Sequence, residues 1–175
     1  AYGGSCFPKD TRALISTANQ FKTDLSIVKS VVRSNDNRKK LLTKKLEIIL
    51  NKRLKNKIIT FLGVTFKPNT DDMREASSIP MINYLNKKNS IVRYYDPSGE
   101  KDEFKKLKNV KFFKDIPSAC LNSDLVILHT EWNDFKIFNF KKLIKKKNFK
   151  IFDMRNIYSP TKMKNIKINY FGIGR

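Results

Sequence analysis

The sequence predicts an α/β fold in which a long connecting helix precedes a parallel sheet with helices on both faces. Two patterns carry this. From residue 57 onward, short apolar runs alternate with stretches of helical spacing, as in strands joined by crossover helices. Ahead of them, apolar residues recur at helical spacing for about eight turns. A third observation is chemical. The run Tyr2-Gly3-Gly4-Ser5-Cys6-Phe7-Pro8-Lys9-Asp10 sets a thiol, a cation and a carboxylate directly after two glycines. Glycine lets a backbone approach a ligand closely.

Residues 10 to 22 place Leu14, Ile15, Ala18 and Phe21 on one side of a first helix. Asp24 or Ser26 can cap the second, which carries Val28, Val31, Val32, Leu41, Leu42, Leu46, Ile49 and Leu50. A helix of that length exceeds what a small core needs. It reads as a spine that connects two domains or packs against a second subunit. Asn51 to Asn56 is a polar linker. The apolar run 58–64 is a buried strand, and a loop rich in Asn, Asp, Thr and Pro follows over 65–75. Ser77 or Ser78 can cap the next helix, with Pro80 in its first turn and Met81, Ile82 and Leu85 on its apolar face. Further strands are expected at 91–95, 110–113, 125–128 and 150–152, with a last one at 166–171. Short helices fall around Phe104 and Leu107, at 116–121 and at 138–144. Ligands of such sheets bind at the carboxyl ends of the strands. The loops after Leu62, Tyr95, Leu128 and Phe152 therefore form one candidate rim.

The chain has 175 residues, enough for one good-sized domain and an appended element, and its 13 phenylalanines suffice for a core. No apolar run is long enough to cross a bilayer, and no signal-peptide pattern opens the sequence. Cys6 and Cys120 lie far apart in different contexts, which reads as two free thiols in a reducing, cytoplasmic compartment. The net charge of +21 raises the question of nucleic acid. Of the 37 basic residues, however, 29 are Lys and 8 are Arg, alongside 17 Asn and 18 Ile. That joint excess points to the codon bias of an AT-rich genome. A phosphate-reading surface would favour Arg. Lysine clusters such as Lys141-Lys142 and Lys145-Lys146-Lys147 read as solvated helix faces. They can still concentrate an anionic ligand such as a nucleotide. Neither a nucleic-acid nor a membrane partner is expected.

Cys6 is the first choice for a nucleophile, since a thiolate is strongly nucleophilic and a nearby cation favours it. Lys9 can supply that cation or bind a phosphate. Asp10 can orient a water, take a proton, or cap the helix that begins there. The second constellation is the loop Phe66-Lys67-Pro68-Asn69-Thr70-Asp71-Asp72-Met73-Arg74-Glu75, between a strand and a helix, where α/β sheets bind anions. It offers Lys67 and Arg74 as cations and Phe66 as an aromatic platform. The third, Asp153-Met154-Arg155, puts Arg155 on the same rim. His129 has no metal-ligand partner at useful spacing and reads as structural, so no metal is expected. Trp132 and Cys120 read as packing residues. No Gly-x-Gly-x-x-Gly follows a strand, so the chain carries no dinucleotide fingerprint of its own.

Three segments in this order resemble the UDP-glucose/GDP-mannose dehydrogenase family, and within it the UDP-glucose 6-dehydrogenases. They are Gly-Gly-Ser-Cys-Phe-Pro-Lys-Asp at 3–10, Gly-Val-Thr-Phe-Lys-Pro-Asn-Thr-Asp-Asp-Met-Arg-Glu at 63–75 and Phe-Asp-Met-Arg at 152–155. Tyr94-Tyr95-Asp96-Pro97 and Thr130-Glu131-Trp132 are similar to it as well. The resemblance implies a Rossmann-like UDP-sugar-binding domain at 57–175, a helical dimerisation or linker region at 11–56 and the end of a catalytic cysteine loop at 1–10. It implies NAD as cofactor, UDP-glucose or a related nucleotide sugar as substrate, and a homodimer.

The roles it implies are specific. Cys6 attacks an aldehyde to give a thiohemiacetal and then a thioester, and Asp10 helps activate the water that releases the uronate. Lys9 and Arg74 contact the dinucleotide. Tyr2, Gly3, Phe66, Lys67 and Arg155 hold the nucleotide sugar. The family's amino-terminal NAD-binding domain has no counterpart in these 175 residues, so the chain is expected to be a carboxy-terminal portion, inactive by itself. GDP-mannose or a UDP-N-acetyl sugar as substrate, and a stand-alone nucleotide-sugar-binding module with Cys6 idle, are the alternative readings.

Overall fold

A computed structural model describes residues 1–143 and 149–174. Two helices come first, α1 (Cys6–Gln20) and α2 (Ser26–Ile49). Pro8 lies in the first turn of α1, where a missing N–H costs no helical bond. Neither Asp24 nor Ser26 caps α2: its N-cap is Leu25, and Asp24 pairs with Lys29 at 3.2 Å.

Among the described residues six strands follow: β1 (Ile58–Leu62), β2 (Ile91–Tyr95), β3 (Val110–Phe112), β4 (Leu125–Leu128), β5 (Lys150–Asp153) and β6 (Asn169–Phe171). They form one sheet in the order β3-β2-β1-β4-β5-β6, and every neighbouring pair is parallel. This is the Rossmann-like arrangement, in which the strand order reverses between β1 and β4 and opens a crevice at their carboxyl ends. Helices α3 (Ser78–Lys87), α4 (Asp102–Lys105), α5 (Ile116–Cys120), α6 (Asn133–Ile137) and α7 (Pro160–Asn165) make the crossovers.

The apolar strands have two covered faces. Ile59, Phe61, Leu125, Ile127 and Phe152 pack with Leu42, Leu46 and Ile49 of α2 and Met81, Ile82 and Leu85 of α3. The alternate residues Leu62, Val126, Leu128 and Ile151 point the other way, onto Ile116, Cys120, Phe135, Phe140 and Met163. Thr60, on that second face, spends its hydroxyl on Ala119 O (2.8 Å) and Ser123 Oγ (2.7 Å).

Several expectations shift. The first strand stops at Leu62, because Gly63 turns away with φ +76°. The third stops at Phe112. The last begins at Asn169, since residues 166–168 close the end of α7 in a turn with Lys167 at φ +60°. In place of a helix over 138–144 there are α6 and a 3-10 turn at Phe140–Leu143. Ile144 and Lys145-Lys146-Lys147 lie outside the described residues. The apolar sides of α1 and the start of α2 are largely uncovered: Phe7, Leu14, Phe21, Ile27 and Val31 are exposed, whereas Leu42, Leu46, Ile49 and Leu50 are buried. Among the described residues, no helix is long and apolar enough to cross a membrane.

Candidate functional site at the strand-order reversal

The crevice is walled by loops whose bends are fixed by buried polar groups. Gly63 N–H donates to Tyr95 O (2.8 Å), and the backbone at Val64 donates to the Asp96 carboxylate (2.7 Å). Asp96 thus ties the end of β2 to the loop after β1. On the other side, Asp153 accepts from Arg155 N (2.9 Å), Tyr158 N (3.1 Å) and the Tyr170 hydroxyl (2.7 Å), which shapes the loop after β5.

His129, at the end of β4, is buried. The Thr130 hydroxyl donates to Thr65 O (2.7 Å), so it can only accept from His129 Nδ1–H (3.0 Å). Nε2 therefore accepts the Ser77 hydroxyl (2.8 Å). Burial, then the positive charge of Arg155, pushes the imidazole pKa down to about 3, so the ring stays neutral. This hydrogen bond also explains why Ser77 sits at the N-cap of α3 without capping it. Ser78 donates to Val64 O instead.

The start of the chain folds into this rim. Gly4 N–H donates to Arg74 O at 2.7 Å. Gly4 has φ +84°, and a Cβ there would lie 2.7 Å from the Phe66 ring. Gly3 is equally confined, 2.8 Å from Glu75 O by the same measure. Only glycine allows the Phe66 ring to lie against this turn. Tyr2 is held from α2 by Asn35, which accepts its N–H (2.8 Å) and donates to its carbonyl (3.1 Å).

Cys6 is exposed and opens α1, where unpaired N–H groups and the helix dipole favour negative charge. Its Sγ lies 3.5 Å from Ser5 Oγ. Because α1 starts at Cys6, Asp10 lies one turn inside the helix and does not cap it. Asp10 instead pairs with Lys9 at 2.5 Å on the solvent side. That carboxylate raises the Lys9 pKa, and the Cys6 sulfur adds a smaller effect in the same direction.

Arg74 is exposed and held by Asp72 through Nε and Nη2, both at 2.9 Å. Its guanidinium also feels Cys6. Lys67 lies over the Phe66 ring, 5.4 Å from its centroid. Arg155 crosses the rim: Nε donates to His129 O (2.7 Å) and Nη2 to Phe66 O (3.2 Å). Glu131 Oε2 is 2.9 Å from the same Nε, an ion pair without an aligned hydrogen bond, since that hydrogen points at His129 O. The residues singled out in the sequence thus fall in one neighbourhood. Phe66, Arg74 and Arg155 engage other rim residues, while Lys9 and Asp10 engage each other.

A domain model described as the UDP-binding domain of the UDP-glucose/GDP-mannose dehydrogenase family matches residues 60–160. That span covers more than half of the chain. The chain belongs to the UDP-glucose/GDP-mannose dehydrogenase family. The model of the family's central domain matches residues 1–37. A curated UDP-glucose 6-dehydrogenase of Rhizobium meliloti (strain 1021) is 37% identical over 177 residues, 99% of this chain and 40% of that protein. One from Rickettsia prowazekii (strain Madrid E) is also 37% identical, over 99% of this chain and 41% of its own length. The solved UDP-glucose dehydrogenase of Pyrobaculum islandicum superposes with a TM-score of 0.81 at 27% identity, over 98% of this chain and 38% of that one. The chain spans about two fifths of the length of the curated relatives it matches.

Sequence reasoning passed over Glu75 and Asn35, and gave Asp96 and Asp153 no anchoring role. The Glu75 carboxylate meets Arg12 Nη1 at 2.8 Å and Lys39 Nζ at 2.7 Å. Its pKa falls from 4.5 to about 2, chiefly through Arg12 and then Lys39. A depressed carboxylate stabilises the fold fully above its unfolded value and loses that contribution on protonation. The stability gap between the native chain and Glu75→Gln should therefore be constant above about pH 5 and shrink from about pH 4.5 toward pH 2 in urea titrations. A gap independent of pH over that window would contradict the ion pairs.

Proposed function

We propose that this chain supplies the nucleotide-sugar site and the nucleophile of an NAD-dependent UDP-glucose 6-dehydrogenase. The observation that carries the reading is the seating of the cysteine loop on the loop after β1. Gly4 N–H reaches Arg74 O at 2.7 Å, so Cys6 lies beside the crevice where such sheets bind ligands. The proposed organisation is a cysteine loop at 1–10, a helical spine at 11–56 and a UDP-binding domain at 57–175.

In this reading Phe66, Lys67 and Arg155, with the backbone at Tyr2 and Gly3, hold the UDP-sugar. A diphosphate needs cations from more than one loop, and Lys67 and Arg155 come from two. Lys9 and Arg74 are exposed cations near Cys6, a donor set that fits the phosphates of NAD. NAD, when bound, takes up hydride in each of two oxidations. The chain's own residues act on the aldehyde that the first of these oxidations leaves. Cys6 adds its sulfur to the aldehyde carbon, giving a thiohemiacetal. Loss of hydride from that carbon and of the proton on its oxygen leaves a thioester. Water activated by Asp10 adds to it, the C–S bond breaks, and uronate and thiol are released.

Calorimetry tests the binding half. The 175-residue chain should bind UDP, and Arg155→Met should weaken it about tenfold. Tight, salt-sensitive binding of a DNA duplex without any UDP response would sink the reading. With UDP-glucose and NAD, the same chain alone should give no rise in NADH absorbance, since it lacks a dinucleotide fingerprint. Clear NADH production would show that it holds a complete hydride-acceptor site. A homodimer through the spine is part of the proposal, supported by the exposed Leu14, Phe21, Ile27 and Val31. Sedimentation at micromolar concentration should return twice the chain mass, and a monomer would contradict it.

A further inference from the structure

We propose that Glu75 is a positioning residue that couples the nucleotide loop to the cysteine loop. The inference rests on the function proposed above and adds a residue to it. One peptide unit, Arg74-Glu75, meets three elements. Its carbonyl at Arg74 receives Gly4 N–H at 2.7 Å, two residues before Cys6. Glu75 Oε1 accepts from Arg12 Nη1 at 2.8 Å, on the helix that Cys6 opens. Oε2 accepts from Lys39 Nζ at 2.7 Å, on the spine, where the lysine side chain is only 12% exposed. The Glu75 carbonyl presses on Gly3 closely enough to exclude any Cβ there.

The backbone makes the same point. Glu75 has φ +56°, a left-handed conformation that glycine or asparagine adopts more cheaply. A carboxylate stands there instead, and each oxygen is spent on a cation from a different helix. Asn35 completes the clamp from the spine by holding both backbone groups of Tyr2. A ligand that shifts the 66–74 loop therefore moves Arg74 O and the Glu75 carboxylate together. That motion reaches Cys6 through Gly4 on one side and through Arg12 on the other.

Glu75→Gln keeps the shape of the side chain and removes its charge. The test uses the 175-residue chain with three readouts: hydrogen exchange at the Gly4 amide, iodoacetamide labelling of Cys6 with and without UDP, and UDP affinity. In the native chain, UDP should slow Gly4 exchange and change Cys6 labelling at least about threefold. In Glu75→Gln, ligand-free Gly4 exchange should quicken about tenfold and the UDP effect on Cys6 should vanish, while UDP affinity stays within about threefold. Arg12→Met should act in the same direction, and the double variant should add little to Glu75→Gln. Unchanged Gly4 exchange in Glu75→Gln overturns the inference. So does faster exchange spread evenly over all amides, which marks a purely structural role. If Glu75→Gln does not fold, Arg12→Met carries the test on the same readouts. If the native chain does not bind UDP, the proposed function fails, and ligand-free exchange at Gly4 still decides the role of Glu75.

Discussion

Cys6→Ser, in an assembled enzyme that carries this chain, should cut uronate formation by about three orders of magnitude or more while UDP binding stays within about threefold. On the proposed function, the hydroxyl is a far weaker nucleophile toward the aldehyde and forms no thioester, so the second oxidation would lose its covalent intermediate. The substitution is nearly isosteric, and Cys6 is exposed at the first turn of α1, so little packing is disturbed. NADH absorbance measures the rate and calorimetry with UDP measures the binding. Retention of more than a tenth of the rate would remove Cys6 from the mechanism. A parallel loss of UDP binding would give it a structural role instead.

Gly63→Ala should cost about 2–4 kcal/mol of folding stability, the sum of a left-handed backbone penalty and a steric clash. Gly63 sits at φ +76°, and a Cβ would stand 2.6 Å from Thr130 Cβ and 3.1 Å from its backbone nitrogen. Thr130 cannot retreat easily, because its hydroxyl is committed to Thr65 O and His129 Nδ1. Gly99→Ala provides the comparison: φ is +92°, but nothing lies within 4 Å, so only the backbone penalty of about 1–2 kcal/mol applies. Urea unfolding of the two variants separates the contributions. Equal losses would mean that the crevice yields to the added methyl and that its walls are softer than their hydrogen bonds imply.

The sheet was readable because its central strands β1 and β4 are buried on both faces. Residues 125–128 coincide with β4, whose four residues are all buried, and residues 91–95 with β2, where the alternate residues Val92 and Tyr94 are buried. Errors came where a local device intervened. Gly63 ended β1 early, and the pair Ser159-Pro160 started α7, a helix signal present in the sequence but overlooked. Within the candidate site, Phe66, Lys67 and Arg74 could be placed on the loop after β1 because the strand before it and the helix after it were readable. The anchoring residues were not. Asn35 acts on Tyr2 from 33 residues away, and Glu75 meets Arg12 across 63. Nothing local distinguishes such a side chain from any other surface polar group, so only the folded chain brings their partners together. The α1 stripe shows a further limit: helical spacing marks an apolar side without saying whether this chain covers it.

The strand order has a consequence for how the molecule is made. Strand β1 lies at the centre, paired with β2 on one edge and β4 on the other. On a ribosome the first edge can zip as soon as β2 emerges, but the second must wait, because Ile58 and its partner Asp124 are 66 residues apart. Throughout that interval the nascent sheet ends in an unsatisfied row of peptide groups flanked by Ile59 and Phe61, the kind of edge that recruits foreign strands. Translation arrested before Leu125 would leave a species of this kind. The central position that places β1 at the crevice also leaves one of its edges open until β4 emerges, after β3 has already closed β2 on both sides.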